Sequence, residues 1–288
     1  MRVLVTGWFS PLHGEATAGD LLAADAVCAW LDAAGVPYDV ARSPVLHAAG
    51  GGGVLLDAVD PRDYTHLVWA CGPAAGWQVE QVLERFAACR RVAVGVSQVA
   101  TTPDGFDVLL TRDGAHGDRP DLSLAAPRDD LPPVVAVVRA NPQGEYPDGR
   151  HDHAHEVVDE VLRRLDAAVV EVDTRVDPRR VVSRRTRDVE AVLARVDAVV
   201  TTRLHGLVLA LRHGVPAVAV DPVPGGAKVA RQAAVLGWPA ALGVDGLTAP
   251  ALAAQVRWAL SDEARARARA LDPDLERVRR ELLAALRD

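Results

Sequence analysis

The residue types best suited to chemistry gather within residues 197–239. A continuous β-branched run over 198–202 predicts a buried parallel strand, and it ends in Arg203-Leu204-His205-Gly206 as the apolar pattern turns helical. Cationic side chains at the carboxyl end of such a strand sit where open α/β sheets bind ligands. The helix that follows offers its N-terminal N–H groups to an anion. A second strand over 215–220 leads through Gly225-Gly226, expected to expose backbone N–H groups, to Lys228 and another helix. Lys228 is the single lysine among 32 Lys and Arg residues, in a chain without isoleucine and with one asparagine, Asn141. Under such a bias a retained lysine marks a place where a compact point charge does what a planar guanidinium does not, or else a chance survivor on a solvated helix. Arg139 and Asn141 follow another apolar run, 134–138, so Arg139 is expected to point from the same sheet edge as Arg203.

Other residues with chemical potential are more ambiguous. Asp20, at the start of a helix, and Asp113, in a loop after a strand, could each accept a proton, or serve as a helix cap and a turn residue. His151 and His155 would share a helix face as a metal pair, but no third ligand is fixed by spacing, and a solvated helix start is the simpler reading. No metal is expected. His213 reads as structural, near a helix C-terminus. Trp8, Trp69 and Trp77 could stack on a sugar ring, with core packing the plainer use for Trp69. Cys28, Cys71 and Cys89 are spaced like neither a zinc site nor a disulfide framework and read as buried thiols.

The elements that must position these residues alternate strand and helix throughout. Strands are expected over 2–7, 36–41, 65–70, 91–96 and 106–111, with helices closed by Gly35 and over 77–88, and a flexible loop at 50–53. Arg128-Asp129-Asp130-Leu131-Pro132-Pro133 combines charge with a proline pair and predicts a linker, giving domains 1–130 and 131–288. The rhythm restarts with strands over 134–138, 169–172, 198–202, 215–220 and 240–244, and with helices over 152–165 and 187–195. From 249 the pattern is helical, with Ser261 capping the last long helix. The expected fold is α/β: two Rossmann-like, doubly wound domains facing a cleft that would hold the active site.

Composition bounds the setting. Of 288 residues 49% are apolar and 25% charged, which excludes a disordered chain. The net charge of −7 argues against nonspecific binding to nucleic acid or anionic lipid. No apolar run is long enough for a membrane span, and Met1-Arg2 leads directly into a strand with no signal-peptide layout, so a cytoplasmic location is expected. Self-association into a homo-oligomer is compatible with all of this, and the sequence does not decide it.

Thr202-Arg203-Leu204-His205-Gly206, followed by Gly214-Val215-Pro216, Lys228 and Leu236-Gly237, resembles the polysaccharide pyruvyl transferase family. Gly19-Asp20, Val94-Gly95-Val96-Ser97, Thr111-Arg112-Asp113, Pro120-Asp121-Leu122 and Val137-Val138-Arg139 resemble its other landmarks, in order. The resemblance implies a two-domain architecture like that of GT-B glycosyltransferases. It also implies transfer of the enolpyruvyl unit of phosphoenolpyruvate onto two hydroxyls of a saccharide or glycoside, giving a pyruvate ketal and phosphate. No cofactor is implied beyond phosphoenolpyruvate as co-substrate.

For that chemistry several cations must converge on a phosphate and a carboxylate, a task that suits arginine forks. Substrate contacts are expected from Arg139, Asn141, Arg203, Gly206 and Lys228 in the second domain, the phosphoenolpyruvate side. On the first domain, the acceptor side, they are expected from Ser97 and Arg112. His205, beside the anion site, is expected to act as general acid, Arg203 to neutralise the phosphate that leaves, and Asp20 or Asp113 to act as base. Two alternatives stay open: a sugar-nucleotide glycosyltransferase on the same fold, and a noncatalytic saccharide-binding relative.

Overall fold

The computed structural model describes residues 1–12, 16–115, 117–142, 144–179, 181 and 183–287. The chain divides into two compact units, Met1–Asp129 and Asp130–Asp288. Among the described residues no helix is long and apolar enough to cross a membrane.

The first unit contains β1 (Val3–Thr6), α1 (Ala18–Ala33), β2 (Tyr38–Arg42), α2 (Pro44–Ala48), β3 (Val54–Leu55), β4 (His66–Ala70), α3 (Trp77–Arg85), β5 (Arg90–Ser97) and β6 (Val108–Asp113). The strands are parallel in the order β3-β2-β1-β4-β5-β6, the order of a Rossmann sheet. Neighbouring residues of β1 enter different apolar clusters, as a pleated strand buried on both faces requires. Leu4 packs with Val79, Val82 and Leu83 of α3, whereas Val3 and Val5 pack with Ala24 and Val27 of α1. The chain winds outward from β1 in both directions, and right-handed crossovers then place α1 and α3 on opposite faces. Short α2 and β3 flank residues 50–53, around which the sequence predicts only a flexible loop. Ser43 caps α2 and Pro44 occupies its first turn, a helix too brief for periodicity to reveal.

The second unit contains β7 (Val134–Val138), α4 (His151–Leu162), β8 (Ala168–Glu171), α5 (Thr186–Leu193), β9 (Ala198–Thr201), α6 (Leu204–Arg212), β10 (Ala217–Asp221), α7 (Lys228–Val235), β11 (Ala241–Gly243), α8 (Ala249–Ala259), α9 (Asp262–Arg269) and α10 (Glu276–Ala285). Its parallel sheet runs β11-β10-β9-β7-β8. β9 and β10 are buried at every position, which is why their sequences are continuous apolar runs without alternation. The strand order reverses direction between β7 and β9, so the switch point of this unit lies where those two strands end. Both units are Rossmann-like α/β.

Candidate functional site

At the carboxyl ends of β7, β9 and β10 the second unit holds a pocket of about 140 Å³. Its walls come from the turn into α6 (Thr202 to His205), the end of β10 (Asp221), the start of α7 (Lys228), and Tyr146 and His151 at the approach to α4. Three local constructions shape it.

The first is the β9–α6 turn. Thr201 Oγ1 accepts the Arg203 N–H at 2.9 Å and lies 3.0 Å from the Val138 carbonyl, so the turn is tied to β7. Thr202 Oγ1 accepts the Ala140 N–H at 2.8 Å and fastens the β7 end to the same place. Helix α6 then starts hard against the sheet. A Cβ on Gly206 would stand 2.2 Å from Thr201 Oγ1 and 3.0 Å from the Val138 Cβ, so only glycine permits this approach. Gly206 was expected to contact substrate. It is buried outside the pocket and its N–H goes to the Arg203 carbonyl, so its place is that of a packing residue.

The second is a carboxylate that the sequence analysis did not single out. Asp221, 1% exposed, accepts the N–H groups of Val223, Ala227 and Ala230 at 3.0, 2.7 and 2.9 Å. Those bonds hold the β10–α7 loop and set Lys228 as the first residue of α7. They also change the expectation for Gly225-Gly226. The Gly225 N–H is taken by Asp245 at 2.6 Å and the Gly226 N–H by the Val223 carbonyl, so the anion-binding N–H groups expected there are already used. An acid at the end of an otherwise apolar strand was the sequence signal available.

The third is the cation set. Arg203 donates Nε to the Arg139 carbonyl at 3.1 Å, and among the described residues its guanidinium has no carboxylate partner. His205, the second residue of α6, is exposed at the pocket mouth with no hydrogen-bond partner among the described residues. Lys228 Nζ lies 3.3 Å from Glu145 and 5.3 Å from the Tyr146 ring centre, and the backbone N–H of Glu145, then the ammonium, hold the Glu145 carboxyl below its ordinary range. An unpaired guanidinium, a helix N-terminus and an ammonium converging on one small hollow are suited to a small polyanion.

Arg139 is not brought into this set. Its guanidinium pairs with Asp159 and Glu171, and it lines a neighbouring hollow with Asn141 and Asp173. The expectation that strand ends alone would aim Arg139 and Arg203 together fails because acids on α4 and β8 capture Arg139 first. His151 also departs from expectation: it is 3% exposed, not part of a solvated helix start. Its ring lies 6.4 Å from that of His155, and no third acid, histidine or cysteine joins them among the described residues. His155 is pushed below its ordinary value, first by burial and then by the Arg139 guanidinium and His151.

The first unit assembles its own polar cluster at the ends of β5 and β6. Arg112 donates to Asp121 at 2.6 Å, to Ser97 Oγ at 2.7 Å and to Asp113 at 3.1 Å, and Ser97 Oγ donates to Asp113 at 3.1 Å. The Arg112 guanidinium and the Ser97 hydroxyl hold the Asp113 carboxyl below its usual range. Ser97, Arg112 and Asp113 are among the first-domain site residues expected from the sequence, and Asp121, expected only as part of the Pro120-Asp121-Leu122 landmark, completes the cluster. Asp20 accepts the Thr17 N–H at 2.9 Å in a capping box at the start of α1. The Trp8 indole donates to the Pro73 carbonyl at 3.0 Å, and its Cδ1–Nε1 edge lies over Gly72.

Residues 148–222 match the family model for polysaccharide pyruvyl transferase. The match runs from just before α4 to just after β10 and so includes His151, Thr202 to His205 and Asp221. It supports the resemblance read from the sequence over that segment, and the family is one of transferases. No curated protein matches the chain. Solved structures similar to it include the glycotransferase of kitacinnamycin, 17% identical, covering 94% of this chain and 93% of that one with a TM-score of 0.34. The calicheamicin glycosyltransferase CalG4 is 15% identical, covering 94% and 92%, with a TM-score of 0.35. The heptosyltransferase WaaC of E. coli, solved with ADP, is 14% identical, covering 90% and 100%, with a TM-score of 0.30.

Proposed function

We propose that the protein is a ketal pyruvyltransferase that takes phosphoenolpyruvate in the pocket of the second unit and transfers the enolpyruvyl group to a saccharide or glycoside. One observation carries the reading: Arg203, with no carboxylate partner among the described residues, shares a small pocket with the α6 N-terminus, His205 and Lys228. The size of the pocket, about 140 Å³, also favours a compact anion. Pockets for drug-sized ligands span roughly 300–1,000 Å³, larger than this one.

In this reading Arg203 and Lys228 hold the phosphate and carboxylate, and the fork of Arg203 supplies two parallel contacts. An acceptor hydroxyl attacks C2 of the enol while C3 takes a proton from His205, forming a C–O bond and a methyl group. A second hydroxyl then replaces the phosphate at C2, its proton passing to the phosphate as it leaves, which closes the ketal and leaves hydrogen phosphate beside Arg203. The first hydroxyl gives its proton to a base; of the two acids considered for that role, Asp20 is engaged in its cap and Asp113 is half exposed. Arginine beside Asp113 lowers its basicity, so it would act best as the acceptor oxygen acquires charge. A cytoplasmic site of action belongs to the same reading.

The test is phosphate release from phosphoenolpyruvate with a panel of glycosides and glycans. Release that requires both substrates is expected, and a panel in which no acceptor stimulates it would overturn the proposal. Thermal shifts with nucleotide sugars, set beside phosphoenolpyruvate, would reveal the glycosyltransferase alternative if only the nucleotides stabilise the protein.

A further inference from the structure

We infer that His151 is a ligand-binding residue of the same pocket, donating a hydrogen bond from Nε2 to an oxygen of the bound anion. The inference rests on reading the pocket as an anion site. His151 opens α4 and lines the pocket, yet the residue is 3% exposed. Neither ring nitrogen has a partner among the described residues, and Nδ1 is sealed from solvent as well. The Nδ1–Cε1 edge lies on Gly149, where a Cβ would stand 2.8 Å from Nδ1 and 2.7 Å from Cε1. The opposite edge, with Nε2, is the one left for the pocket.

A buried N–H without an acceptor is costly, whereas an unfilled imidazole lone pair is tolerated better. On the neutral ring the proton is therefore better placed on Nε2, a donor in the wall of the pocket that Arg203 and Lys228 also line. Nε2, without a partner among the described residues and not sealed as Nδ1 is, is the ring nitrogen that an oxyanion in the pocket can meet. His151 thereby becomes a donor inside the pocket, distinct from His205 at its mouth.

The experiment is calorimetric titration of the full chain with phosphoenolpyruvate, and separately with inorganic phosphate. His151→Phe keeps the ring volume and removes the donor; His151→Gln places an amide N–H near the position of Nε2. About tenfold weaker binding is expected for His151→Phe, with His151→Gln within about threefold of the parent. Weakening toward both probes assigns the contact to the phosphoryl group, and weakening toward phosphoenolpyruvate alone assigns it to the carboxylate. Should His151→Phe not fold, His151→Asn, whose amide is too short to reach the Nε2 position, takes its place with the same expected loss. Gly149→Ala, which keeps the histidine but presses its ring aside, is expected to weaken binding as well. Binding by His151→Phe within about twofold of the parent, while Arg203→Ala binds poorly, overturns the role of His151 alone. Unchanged binding in both variants overturns the anion-site reading together with it.

Discussion

Arg203→Ala removes the guanidinium on which the anion site depends. Nε is already committed to the Arg139 carbonyl at 3.1 Å, so the two Nη groups remain for the ligand. A hydrogen bond involving a charged group contributes about 1.5–3 kcal/mol, and two of them in a partly open pocket about 3–5 kcal/mol. Affinity for phosphoenolpyruvate should therefore fall by roughly 10²- to 10⁴-fold. Arg203→Lys keeps the charge without the fork and should lie between the parent and the alanine variant. Stability should respond much less. The structure gives Arg203 one main-chain acceptor and no carboxylate among the described residues, so the loss is about 1 kcal/mol and a few degrees in Tm. Calorimetric titration and a melting curve on the same sample decide the matter. Binding within threefold of the parent, or a Tm more than ten degrees lower with binding intact, would show Arg203 to be a structural residue and refute the reasoning.

Gly206→Ala forces a Cβ to 2.2 Å from Thr201 Oγ1 and should destabilise the protein by about 1–3 kcal/mol while displacing the start of α6; denaturant unfolding measures the first and phosphoenolpyruvate affinity the second. Asp221→Asn replaces one of two accepting oxygens in a site that accepts three backbone N–H groups, and should cost about 2–4 kcal/mol by the same unfolding assay, with weaker anion binding as Lys228 loses its support. His155 titrates lower when folded than its ordinary 6.5 because burial, Arg139 and His151 disfavour its charge. Between the two values the unfolded chain binds more protons, so this contribution to stability is complete above about pH 6.5 and is lost as the pH falls through the folded value. Melting curves from neutral to acidic pH should show a decline that His155→Gln flattens; an unchanged profile would assign it to other groups.

The sequence by itself determined the parallel α/β character of both halves and the place of the reactive turn. Strands buried on both faces must be continuous apolar runs, and where those runs end is legible without coordinates to within a residue: 202 and 220 from the sequence, Thr201 and Asp221 in the structure. It also marked Lys228 through its singularity, and Arg203 and His205 through their position after a strand. Which of these side chains meet was a tertiary matter. Arg139 and Arg203 both lie just beyond the ends of adjacent strands, yet acids arriving from α4 and β8 divert the first, and no local pattern encodes that competition. The Gly225-Gly226 turn resembled an anion cradle until Asp245 and Val223 were found to occupy its N–H groups. His151 sits on a polar segment that reads as solvated, and only the packing of Gly149 and the α4 start against the end of β10 buries it. Periodicity reports which face of an element is covered; it does not report which residue covers a given atom, and the chemistry of this pocket depends on the second.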